Sequence, residues 1–103
     1  MKNNAEIARL KKELRDNDIA VQALSREIEY LQLQENFCLD RYEYYKSIDD
    51  QVKVLQWDVL SDYCKDLYLE KRNKREALKK EWYPINSRVI ELLCENVREI
   101  TGR

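Results

Sequence analysis

Histidine is absent from the 103 residues, which removes the commonest general base and the commonest metal ligand at once. The three cysteines, Cys38, Cys64 and Cys94, lie 26 and 30 residues apart. That is nothing like the paired spacing a structural zinc site needs. An odd, widely spaced set also argues against a disulfide framework, and each thiol falls on or beside an apolar stripe, where an inert buried thiol is expected. Across a dimer axis, Cys38 would meet its own copy, which is the one redox role the spacing allows. A single glycine leaves no phosphate-cradling loop of the GxGxxG or GxxxxGK kind. Adjacent carboxylates such as Asp49 and Asp50 suit a helix N-terminus better than acid–base work. The expectation is a chain that is not an enzyme, with no catalytic residues, no metal and no cofactor.

Two groups of side chains remain that could bind something. The net charge is −1 overall, yet residues 71–80 carry 6 Lys+Arg against 1 acid. These six, Lys71, Arg72, Lys74, Arg75, Lys79 and Lys80, wrap round a helix rather than form one stripe. A solvated helix end is the plainer reading, and a dock for an acidic protein or for nucleic acid phosphates is the functional one. No base-reading motif lies nearby, so an acidic protein is favoured over nucleic acid. Beside the block, Trp82 and Tyr83 precede a proline and complete a candidate partner surface. Tyr42, Tyr44 and Tyr45 form a second aromatic cluster.

These residues need elements to hold them, and the punctuation is sparse: one Gly and one Pro. Sheet proteins need turn residues at every hairpin, so long amphipathic helices are expected. Asn3 followed by Glu6 places a helix start near Asn4. From there Ile7, Leu10, Leu14, Asn17, Val21, Leu24, Ile28 and Leu31 recur at alternating steps of three and four. β-Branched residues dominate one set and Leu the other, which favours a two-stranded parallel coiled coil. The flanking positions are mostly polar, so the stripe is narrow. Asn17 is its one polar member and would fix register. In a parallel homodimer Glu6 would face Lys11 favourably but Glu13 would face Asp18, so the partner is either a second copy or a related coiled-coil chain.

Past Leu31 the frame continues more poorly through Glu35, Cys38, Tyr42 and Tyr45, with a second apolar face at Leu33, Phe37 and Tyr44. Ser47 and Asp50 read as a new cap. A second helix follows from Ile48 to Trp82, with one stripe at Ile48, Val52, Leu55, Val59, Tyr63 and Leu67 and another at Val54, Trp57, Leu60, Cys64 and Tyr68. Its part up to Leu69 should be the most buried element. Pro84 should end that helix and open a third, Ile85 to Ile100, closed by Thr101 and Gly102. The layout, a coiled coil opening into a helical bundle, is similar in outline to the dimerisation domain of microtubule end-binding proteins and to the coiled-coil halves of some recombination accessory factors. Phe37 to Tyr45 (FCLDRYEYY) departs from the aromatic-basic signature of the end-binding family, so the likeness is one of shape and transfers no residues.

The sequence therefore predicts an all-α chain of three helices, with a coiled-coil dimerisation segment at 4–34 and a helical bundle at 35–103. The expected role is a scaffold or adaptor subunit of a larger intracellular assembly, in a reducing compartment such as cytoplasm or nucleus and away from membranes. The alternative is a small nucleic-acid-associated or regulatory accessory protein that uses the basic block.

Overall fold

A computed structural model describes residues 3–102. All regular structure among them is helical: α1 runs Asn4–Ser47 and α2 runs Gln51–Thr101. No described helix is long and apolar enough to cross a membrane.

Two helices replace the three expected. Pro84 lies inside α2 rather than between two helices, and the expected third helix is the last part of α2. Proline cannot donate to the carbonyl four residues back, at a cost of about 3 kcal/mol in a helix interior. Here the ring sits on the exposed side. Trp82 and Ile85, on either side of it, are half-buried, and that packing offsets the lost bond. The connection between α1 and α2 also differs in detail from expectation. Asp49 adopts a left-handed φ of 59°, its amide donates to the Lys46 carbonyl (3.2 Å), and the Asp50 amide donates to the Tyr45 carbonyl (3.0 Å). This is the double closure that usually takes glycine at the turning residue; an aspartate is among the few side chains that tolerate it. The cap of α2 is Asp50, not Ser47: its Oδ1 accepts from the Lys53 amide at 3.2 Å, while the Ser47 hydroxyl donates back to the Tyr44 carbonyl.

The chain divides into two compact units. Residues 3–22 and 75–102 form one, and Ala23–Lys74 forms the other. In the first, Ile7, Leu10, Val89 and Leu92 make a buried cluster, with Leu14 and Ile85 packed against it. The helices run antiparallel there: Asn3 Nδ2 donates to the Glu95 carboxylate at 3.0 Å, and Asn17 Nδ2 donates to the Leu78 carbonyl at 2.7 Å. In the second unit the Asp49 turn joins the two arms. Ile28, Cys38 and Ser61 are its fully buried side chains, and Phe37 meets Trp57 edge-on with centroids 5.8 Å apart.

Spacing explains which side chains point inward. The α1 residues expected to form the seam, continued through Glu35, Cys38, Tyr42 and Tyr45, are all buried or half-buried. On α2 the same alternation of three and four runs through Val54, Trp57, Ser61, Cys64, Tyr68 and Lys71 in one unit, then Arg75, Leu78, Trp82, Ile85, Val89, Leu92 and Asn96 in the other, again all buried or half-buried. In the first unit Ile7, Leu10 and Leu14 of the expected seam pack against Ile85, Val89 and Leu92 of α2, which runs antiparallel to α1 there.

Candidate interaction surfaces

The seam residues are committed within the chain. Ile7 and Leu10 are buried in the first unit and Ile28 in the second, while Leu14, Asn17, Val21, Leu24 and Leu31 are half-buried. Asn17, the polar member of the seam, spends its amide on the Leu78 carbonyl of α2, so its half-buried donor is satisfied within the chain.

The basic block is split by its own helix. Lys71 and Arg75 occupy inward positions and are half-buried; their long stems cover apolar surface while the charged heads reach carboxylates. Lys71 Nζ lies 3.3 Å from Glu27, and Arg75 Nε lies 3.7 Å from Glu76. Lys74 pairs with Glu70 at 3.6 Å and Lys79 with Glu76 at 3.8 Å. Arg72 and Lys80 are exposed. Exposed pairs of this kind contribute little stability, but they neutralise much of the block's field. Lys79, Trp82 and Tyr83 do meet, lining an open cleft with Asn17, Asp18 and Val21, where Trp82 and Tyr83 stack edge-on at 5.4 Å.

Burial pushes the Cys38 thiol above its ordinary value, and the adjoining Cys64 thiol and Glu35 add to the shift. A thiol so placed is a poor nucleophile. No group of three or more His, Cys, Asp or Glu among the described residues is arranged to hold a metal.

The surface that sequence reasoning assigned to the core is the most exposed apolar one. The first stripe of the expected second helix faces outward: Val52 is 67% exposed, Leu55 and Val59 66%, and Tyr63 62%. Leu60 and, in the turn, Ile48 are also exposed. On α1 of the same unit Tyr30, Leu33, Phe37 and Tyr44 are exposed as well. In the other unit Ile90, Leu93, Val97 and Ile100 form an outward stripe near the end of α2; of the stripe expected there, only Ile85, Val89 and Leu92 turn inward. The signal that finds the outward faces is the clear seam of Leu78, Trp82, Ile85, Val89 and Leu92. Extended backward at the same spacing, it selects Val54, Trp57, Ser61 and Cys64 as inward and leaves Val52, Leu55, Val59 and Tyr63 opposite.

Aliphatic residues at solvent-facing positions of a paired helix serve no purpose within the pair. Contiguous exposed patches of several hundred Å² mark sites where another surface docks. The class that the fold defines is an all-helical protein of two long helices. Comparison with protein-family models, curated proteins and solved structures returns no match.

Proposed function

We propose that this chain is a non-catalytic helical scaffold whose two long helices present outward apolar stripes to other helices in a larger assembly. The observation that carries this reading is the stripe Val52, Leu55, Val59 and Tyr63, about two-thirds exposed on a helix whose opposite face is already packed. Burying one such side chain is worth about 1.5–3 kcal/mol, so four together supply a binding surface rather than a defect. The basic block takes a supporting part, since four of its six cations lie within 4 Å of carboxylates of this chain.

A photo-crosslinking residue in place of Leu55, expressed in the cells that make the protein, tests the reading. A discrete covalent adduct with a polypeptide, missing when the same group replaces the exposed Lys12, supports a docking face. Labelling by water alone at both positions overturns it.

A further inference from the structure

The outward stripe of α2 is spaced to fit itself, and we infer that its occupant is a second copy of this chain, joined antiparallel about a two-fold axis between Leu55 and Gln56. This deepens the scaffold reading above and rests on it.

At 100° per residue, Val52, Leu55, Val59 and Tyr63 lie within about 80° of arc, and no charged residue falls in that arc between them. Such a stripe, about 17 Å long, suits another helix. Two-fold antiparallel pairing about this axis sets Val52 of one copy against Val59 of the other. Tyr63 reaches the turn that carries Ile48, and the two Leu55 side chains pack beside the axis. Every apolar member then finds an apolar neighbour, as an isologous interface requires. A parallel pairing would also align like with like, but it would set both Asp58 and Asp62 beside their own copies, whereas the antiparallel register sets Asp58 opposite Lys53 and leaves only Asp62 near an acid, Asp49 of the turn.

The area is right for such a dimer. The four side chains of the stripe, Val52, Leu55, Val59 and Tyr63, offer roughly 100 Å² each, or about 400 Å² of apolar surface. With the usual apolar share of about 60%, this corresponds to about 650 Å² per copy, the lower end of the standard range for a stable interface. The stripe ends where Asp66 and Glu70 enter the same face, which limits the contact to one helix length and closes it as a dimer.

The test is the solution mass of the purified full chain by light scattering across a concentration series up to about 100 µM. The expected result is twice the chain mass, with Leu55→Glu weakening association by roughly 100-fold or more while helicity by circular dichroism is unchanged. Should Leu55→Glu lose helicity, Leu55→Ala, a better helix former, carries the test with an expected loss of about tenfold. A dimer that both folded variants leave intact overturns the proposal. So does a chain that stays monomeric; if the Leu55 crosslinker then attaches to a different polypeptide, the scaffold reading stands and only the second copy is excluded.

Discussion

In the unit of residues 3–22 and 75–102, inward positions hold Ile7, Leu10, Leu14, Ile85, Val89 and Leu92, and asparagine clasps run between the helices. In Ala23–Lys74, the same spacing turns inward Leu24, Ile28, Leu31, Val54 and Trp57 together with Glu35, Cys38, Tyr42, Tyr45, Ser61, Cys64, Tyr68 and Lys71. The first unit draws its cohesion from aliphatic burial. The second buries fewer side chains, Ile28, Cys38 and Ser61, and leaves Val52, Leu55, Val59 and Tyr63 outside. Identical periodicity therefore covers one face in both units and leaves an apolar stripe outside in each, Ile90, Leu93, Val97 and Ile100 in the first and Val52, Leu55, Val59 and Tyr63 in the second.

The contrast can be broken most sharply at Leu92, which is 1% exposed. Leu92→Ala should cost about 3 kcal/mol, seen as a lower denaturant midpoint, whereas Val59→Ala, measured at concentrations low enough to keep the chain monomeric, should cost under about 0.5 kcal/mol. Equal costs would mean that both faces are buried. Next in size is Pro84→Ala, which restores the missing helical bond at an exposed site and should stabilise by about 1–3 kcal/mol; a lower melting temperature would mean that the ring's geometry is needed. Asp50→Ala removes the cap of α2 and should cost about 1 kcal/mol, detected by equilibrium unfolding. The smallest effect is expected from pH. Cys38 is held above its ordinary 9.0 by burial, so the unfolded chain gives up this proton first. Stability contributed by the neutral thiol is whole below about pH 9 and is lost as pH rises through the higher folded value. Unfolding at pH 8 and pH 10 should show this loss, and Cys38→Ala should reduce the slope.

Helicity and the α1 seam were legible because they depend on local facts: scarce Gly and Pro, the start at Asn4, and a run from Ile7 to Leu31 with one polar interruption. The identity of the seam's partner was not. A stripe encodes which face is covered, not whether the covering helix belongs to the same chain or which way it runs. The α2 faces were read in the wrong order for a related reason. Hydropathy favours the stripe of Val52, Leu55 and Val59 over one containing Ser61, Cys64 and Lys71, and only the register set by Leu78 to Leu92 reverses that choice. Pro84 was read as a stop because the residue itself argues for one, while the burial of Trp82 and Ile85 that overrides it is tertiary.

The Asp49 turn also sets an order of events in time. Phe37 and Trp57, which meet across the second unit, are close together along the chain, whereas the Asn17–Leu78 bond spans 61 positions and the Asn3–Glu95 bond spans 92. The chain entropy lost on closing a loop grows with its length, and short-range contacts form fastest. Folding should therefore start at Asp49 and zip outward. The aliphatic cluster of Ile7, Leu10, Val89 and Leu92 would then lock last, acting as the latch that slows unfolding rather than the nucleus that starts folding.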